Sequence, residues 1–149
     1  MQHRKMILIS CLLMLGLFKV TKITAQNLSA HQWENRVLLL LVEDTQNFSY
    51  QAQLSILKSQ EKALKDRKIL VYHLQASQFK KGLNGEEWTI SQGVFQQYKS
   101  SKAPFEIVLM GLDGGVKLQQ SKLLPAQDLF NLIDQMPMRK RELKKQKKQ

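Results

Sequence analysis

One unbroken apolar run constrains the fold of this chain more than any other feature. Residues 36–43 read RVLLLLVE, so six consecutive apolar residues stand between an arginine and a glutamate. A strand with one face in solvent alternates polar and apolar residues, whereas an unbroken run is typical of a strand buried on both faces. The run therefore favours an α/β fold in which helices cover a sheet.

The residues after this run predict a helix and a second strand. Four apolar residues of 47–67 fall on one helical face, with lysines elsewhere. Asp44, Thr45 or Asn47 could cap the start of this helix. Residues 69–74 (ILVYHL) form a second short apolar run. Strand, helix and strand at this spacing predict a parallel pair of strands with a right-handed crossover.

The second half of the chain predicts a hairpin. Residues 75–87 are polar and are expected to form a loop, and residues 88–99 are expected to form a short helix. Two further strands are predicted at 105–110 and 116–119. Between them, residues 111–115 (GLDGG) supply the glycines and aspartate that a tight antiparallel reversal requires.

A final helix completes the predicted order of elements. Pro125 suits the first turn of a helix over residues 126–135, and Pro137 breaks or restarts that helix. The order is β-α-β, a connecting helix, then β-β-α. We therefore expect a thioredoxin-like α/β fold, with a mixed four-stranded sheet covered by helices.

The N-terminus has the three parts of a secretion signal. A basic start is followed by a 13-residue apolar run over residues 6–18 and by a polar stretch that ends near Ala25. A membrane-spanning helix needs about 20 apolar residues. We expect residues 1–25 to be a signal peptide, which leaves a periplasmic or secreted protein without a transmembrane helix. A signal that is kept as a membrane anchor is the alternative.

The sequence lacks the residues that most catalytic mechanisms need. Cys11 is the only cysteine, so cleavage near Ala25 leaves none for thiol redox chemistry or nucleophilic attack. The mature part has two histidines, His31 and His73, without an acidic or cysteine cluster at metal-ligand spacing. No phosphate-binding glycine loop is present. We expect no cofactor and no metal, and the sequence favours a protein without enzymatic activity.

The positive charge is concentrated at the C-terminus. Residues 26–138 carry 12 bases and 11 acids, whereas residues 139–149 carry seven bases and one acid. The chain thus divides into a signal peptide (1–25), a domain (26–138) and a basic tail (139–149). A cluster of this kind attracts anionic surfaces or polysaccharides, and we do not expect nucleic acid as the partner of an exported protein. The alternative, which we favour, is a solvated helix end that only aids solubility. The lysines that would contact such polyanions are Lys144, Lys145, Lys147 and Lys148.

One charged set offers a candidate binding site. Its members are Arg36, Asp113, Lys117, Asp134, Arg139 and Arg141. The alternative role of these residues is an ion-pair network that docks the C-terminal segment. We expect Arg139 or Arg141 to pair with Asp134 or Asp113, and Met136 or Met138 to be buried beside the pair.

Three segments carry a resemblance to a known family. They are residues 33–39 (WENRVLL), 110–118 (MGLDGGVKL) and 129–139 (LFNLIDQMPMR), the last followed by Glu142. The chain resembles domain of unknown function family 4174, found in short exported bacterial proteins, with related domains in vertebrate sushi-repeat-containing and coiled-coil-containing matrix proteins. The resemblance implies a thioredoxin-like fold related to peroxiredoxins, with no established activity.

Three classes of function remain open. The first is a non-catalytic binding or scaffolding module of the cell envelope with an unidentified envelope or extracellular partner, and the absence of a reactive residue set favours it. The second is an enzyme with a non-thiol site near Asp113, Asp134 and Arg139. The third is a surface protein that binds polyanions through its basic tail.

Overall fold

The computed structural model describes residues 28–84 and 87–148. The predicted signal peptide lies outside the described residues. Within the described part of the chain, no helix combines the length and the apolar character needed to cross a membrane.

A mixed sheet forms the centre of the domain. Its strands in the described residues are β1 (Arg36–Val42), β2 (Ile69–Gln75), β3 (Gln78–Lys81), β4 (Thr89–Ile90), β5 (Phe105–Met110) and β6 (Val116–Gln120). Their order across the sheet is β4-β3-β2-β1-β5-β6. β1 is parallel to β2 and antiparallel to β5, and β5 is antiparallel to β6. The predicted α/β class, the parallel pair and the hairpin are confirmed.

The expected four-stranded sheet is wrong, because the described residues form six strands. β3 lies in the segment predicted as a loop, and β4 lies at the start of the segment predicted as a helix. All four residues of β3 are half-buried and both residues of β4 are exposed. Strands at the edge of a sheet tolerate polar side chains. They therefore lack the apolar pattern on which the prediction relied.

Five helices in the described residues cover the sheet. They are α1 (Phe48–Lys58), α2 (Glu61–Asp66), α3 (Val94–Tyr98), α4 (Ala126–Asp134) and α5 (Pro137–Gln146). Asn47 caps α1, because its side-chain oxygen accepts a hydrogen bond from the Tyr50 N–H at 3.1 Å. The single helix expected over 47–67 is divided in two. At the division, the Ser59 hydroxyl donates to the Ile56 carbonyl oxygen at 2.7 Å, a local bond of the kind that competes with the helical ladder.

β1 separates two apolar clusters. All seven of its residues are buried. Leu38, Leu40 and Val42 pack on one face against α1 and α4, and Val37, Leu39 and Leu41 pack on the other face. Alternate side chains of a strand point to opposite faces. The unbroken apolar run is therefore explained by burial on both sides.

Two chain reversals position the polar residues described below. In the β5–β6 turn, the Gly111 N–H donates to the Gly115 carbonyl at 2.9 Å, and Gly114 takes a positive φ of 77°. Between α4 and α5, Pro137 occupies the start of the new helix, so this proline restarts the helix. Both reversals lie near the beginning of β1.

Candidate functional site

Three arginines meet three acids where α5 packs onto the domain. Arg36 lies at the start of β1, Arg67 follows α2, and Arg139 lies in the first turn of α5. Arg36 is 0% exposed and Arg139 is 1% exposed. Buried arginines need charged or hydrogen-bonding partners. The acids that pair with them are Asp66, Asp134 and Glu142.

Arg139 is held by all three acids. Its Nε donates to Asp134 Oδ1 at 3.3 Å, and its Nη1 donates to Glu142 Oε2 at 3.3 Å. Its Nη2 donates to the Asp66 carboxylate. The predicted pairing of Arg139 with Asp134 is confirmed. Arg141 is exposed, with no ion pair among the described residues.

Asp134 joins α4 to the end of α2 as well. The Nε and Nη2 atoms of Arg67 donate to its two carboxylate oxygens at 3.1 and 2.6 Å. Burial alone would raise the pKa of Asp134. Hydrogen bonds and charge from Arg67, and then from Arg139, outweigh burial and hold this pKa below its ordinary value. The Arg67–Asp134–Arg139 contacts therefore dock the C-terminal segment on the domain.

Arg36 uses only one of its three guanidinium nitrogens. Its Nη1 donates to the Arg67 carbonyl oxygen at 2.9 Å and to Glu142 Oε2 at 3.3 Å. Its Nε and Nη2 are buried and have no hydrogen-bond partner among the described residues. Buried polar atoms in folded proteins are nearly always paired. One edge of this guanidinium therefore lacks a partner within the described part of the chain.

A cavity of about 310 Å³ lies beside Arg36. The start of β1, the β5–β6 turn and the junction of α4 with α5 enclose it. Both methionines of that junction are half-buried rather than buried, because they line this cavity. The lining residues are Arg36, Gly111, Leu112, Asp113, Lys117, Met136, Pro137 and Met138.

A charge pair stands at the wall formed by the turn. Lys117 Nζ lies 2.6 Å from Asp113 Oδ2. The hydrogen bond from Lys117, helped by the Gly115 N–H, lowers the pKa of Asp113. A Cβ at Gly111 would lie 2.5 Å from Lys117 Cε and 2.8 Å from Asp113 Oδ1. Glycine at this position therefore leaves the space that the pair occupies.

The start of α5 forms the opposite wall. Pro137 and Met138, its first two residues, line the cavity, and no side chain caps this end of the helix. The first turn of a helix carries free N–H groups and a partial positive charge. The cavity therefore receives positive potential from this helix end, whereas Glu142 offsets the charge of Arg36.

The structure divides the predicted site residues into three groups. Arg36, Asp113 and Lys117 line the cavity, whereas Asp134 and Arg139 belong to the ion-pair network. Arg141 and the four tail lysines are exposed along and just after α5. Arg139, which the sequence placed in the tail, is buried in the folded unit.

The predicted set of charged residues missed three members of the network, Asp66, Arg67 and Glu142. Asp66 and Arg67 lie at the end of an amphipathic helix, where charged residues usually face solvent. A usable signal did exist at Arg36. A charge at the head of a strand buried on both faces requires a partner from elsewhere in the chain.

Two other kinds of site, a second cavity and a metal centre, are less well supported. A cavity of about 350 Å³ lies between α2 and β2, but none of the unpartnered buried atoms of the described chain belongs to its lining. Residues 28–84 and 87–148 contain no group of three or more His, Cys, Asp or Glu side chains placed to hold a metal ion. The Arg36 cavity is the better candidate site.

The fold and this site define a small mixed α/β domain with a cavity lined by Arg36 and by the junction of its two C-terminal helices. The chain belongs to the family described as domain of unknown function DUF4174, whose model matches residues 27–142. The match confirms the resemblance seen in the sequence and includes Arg36, Arg139 and Glu142. No curated protein matches the chain.

Proposed function

We propose that this protein is an exported, non-catalytic binding module of the cell envelope, and that it holds an anionic group of its partner in the Arg36 cavity. One observation carries the proposal. Arg36 is fully buried, lines a cavity, and leaves Nε and Nη2 without a partner among the described residues.

The energetics of burial favour a ligand at this edge. An arginine stays protonated in proteins, and leaving a buried donor unpaired costs about 1–3 kcal/mol. An anion in the cavity would accept hydrogen bonds from both free donors and offset that cost. Glu142 and the Arg67 carbonyl hold the guanidinium in place through Nη1.

The composition of the cavity supports binding rather than catalysis. Among the described residues that line it, none has a hydroxyl, thiol or imidazole group. Asp113 is paired with Lys117, and Asp134 is paired with Arg67 and Arg139 instead of facing the cavity. The residues of the alternative non-thiol enzyme site are thus divided between two places.

We also propose that the fold is thioredoxin-like. The support is the order β2-β1-β5-β6, with a helical crossover between the parallel strands and an antiparallel hairpin at the other side. In thioredoxin-like enzymes the reactive cysteine lies where the first strand meets the first helix. Here Asn47 caps the helix at that place, and Thr45 and Ser49 are the nearby hydroxyl residues.

Anion-dependent thermal stability tests the proposed function. The purified protein would be melted in increasing concentrations of small anions of several classes. At 100 times its dissociation constant, a ligand that binds only the folded state stabilises it by about 2.7 kcal/mol. We expect saturable stabilisation that Arg36→Lys removes, because lysine lacks the two parallel donors.

Arg141→Lys is the matched control for this experiment. Arg141 is exposed on α5 and outside the cavity, so the same substitution there should leave the anion response intact. Absence of any saturable response, or an equal response in Arg36→Lys, would remove the basis of the proposal.

A second candidate function, binding of polyanions by the tail, is supported by a different observation. The bases of α5 other than Arg139 are exposed, and they have no ion pair among the described residues. Exposed lysines in a cluster attract anionic lipids and acidic polysaccharides through charge alone.

A further inference from the structure

We infer that the Arg36 cavity recognises a carboxylate attached to a short apolar group, as found at the C-terminus of a peptide or in a small free carboxylic acid. This inference rests on the proposed binding function and names the chemical class of its ligand. Donor geometry, local charge and the apolar wall each support it.

The free donors match a carboxylate. The Nε–H and one Nη2–H of an arginine lie side by side on the same edge and fit two carboxylate oxygens. Within this chain, Arg67 uses that same edge to hold Asp134, at 3.1 and 2.6 Å. Arg36 presents the equivalent edge without a partner among the described residues.

Local charge favours a single negative charge over a double one. Glu142 offsets Arg36 at 3.3 Å, and Asp113 offsets Lys117 at 2.6 Å. The formal charges around the cavity therefore cancel. What remains is the partial charge of about +0.5 at the start of α5. A monoanion suits this environment better than the dianion of a phosphate.

The remaining wall is apolar. Leu112 is buried, and Met136, Pro137 and Met138 form the side contributed by the helix junction. A phosphate or a sugar would need further donors and acceptors that these side chains do not supply. Methionines adapt to apolar groups of varied shape. One water molecule takes up about 30 Å³ in the liquid. A cavity of about 310 Å³ therefore has room for a group of the size of one amino acid.

An exposed tryptophan beside the cavity offers a surface for the rest of a peptide. The Trp33 N–H donates to the carbonyl oxygen of Leu112, a lining residue, at 2.6 Å. Trp33 is 59% exposed and has a φ of 69°, a conformation that is uncommon outside glycine. A peptide that leaves the cavity on this side would contact the indole ring, whereas a small free acid would not.

Calorimetric titration of the purified protein tests this inference. The ligands are acetyl-leucine, 4-methylpentanoate, a short peptide ending in leucine, the same peptide with a C-terminal amide, acetate and inorganic phosphate. We expect the leucine-bearing carboxylates to bind about tenfold or more tightly than acetate, phosphate or the amide. Arg36→Lys should weaken their binding by a similar factor.

Three variants extend the test without altering Arg36. Met138→Glu introduces a carboxylate at the apolar wall and should abolish binding. Gln135→Glu adds the same charge at an exposed position three residues away and should leave binding unchanged. Trp33→Ala distinguishes the two sources of carboxylate. It should weaken the peptide alone if the peptide is the ligand, and it should alter no affinity if the free acid binds as tightly as the peptide.

The outcomes separate this inference from the proposed function. Binding of phosphate that exceeds the carboxylates and requires Arg36 would overturn the carboxylate assignment and leave the binding module intact. Equal affinity for the peptide and its amide would also overturn it. No binding by any of these anions, or binding that Arg36→Lys does not weaken, would overturn both.

Discussion

Lowering the pH from 7 to 5 should destabilise the folded protein through His73. This histidine lies on β2 and is 0% exposed. The Gly82 carbonyl oxygen can only accept a hydrogen bond, so Nε2 donates to it at 2.7 Å. Nδ1 then accepts from the Tyr50 hydroxyl at 2.8 Å. The neutral ring is fully paired, and a second proton would place a charge inside the core.

The size of the effect follows from the pKa of His73. Burial lowers it from 6.5 to about 4; the hydrogen bond to the Gly82 carbonyl opposes this shift, and Lys80 and Lys58 add smaller contributions in the same direction as burial. Between pH 6.5 and 4 the unfolded chain therefore binds a proton that the folded chain excludes. Stability is present above pH 6.5 and declines as the pH falls toward 4. The linkage relation gives a loss of about 2 kcal/mol between pH 7 and pH 5.

Urea unfolding at pH 7 and at pH 5 measures this loss. His73→Gln keeps a donor and an acceptor but does not titrate, so its stability should change little between the two pH values. His31, whose pKa burial also lowers, is the control. His31→Gln should retain most of the dependence. A loss below about 0.5 kcal/mol in the unaltered protein, or equal losses in it and in His73→Gln, would refute the reasoning.

Three further predictions address the C-terminal helix, the tail and the N-terminus. Arg139→Met removes charge-assisted hydrogen bonds to three carboxylates, each of which keeps a second arginine, and should lower the free energy of unfolding by about 1.5–3 kcal/mol, measured by thermal melting. Arg141→Met, at an exposed site, should stay within about 0.5 kcal/mol. Deletion of residues 143–149 should abolish retention on a heparin-like matrix, and unchanged retention would place the basic surface on the domain. Intact mass should show cleavage near Ala25, and a full-length species in the membrane would contradict the signal assignment.

The centre of the sheet was predictable because the apolar pattern of its residues reflects their burial. Burial on both faces requires an unbroken apolar run, and β1 has one. The glycines and Asp113 of the β5–β6 turn likewise announce a reversal, since Gly114 takes a positive φ that glycine adopts without strain. Burial of a strand and the backbone conformation of a turn each depend on residues that are adjacent in the sequence, and these predictions were correct.

The sheet edge was not predictable in the same way. β3 pairs with β2 through backbone groups, and its polar side chains are only half-buried. Its sequence, QFKK, therefore resembles that of a loop. The division between α1 and α2 has the same character, because the hydrogen bond of the Ser59 hydroxyl at the division leaves no mark on the apolar pattern of the two helices.

The candidate site depends on choices that the sequence leaves open. Arg36 requires an acid, but the partner it finds, Glu142, lies 106 positions away. Nothing local distinguishes that glutamate from the other acids of the chain. The sequence also cannot show that Glu142 takes Nη1 alone and leaves Nε and Nη2 unpaired. A buried arginine in a closed ion network stabilises a fold. The same arginine with one unpaired edge beside a cavity is the basis of the proposed binding function, and that difference exists only in three dimensions.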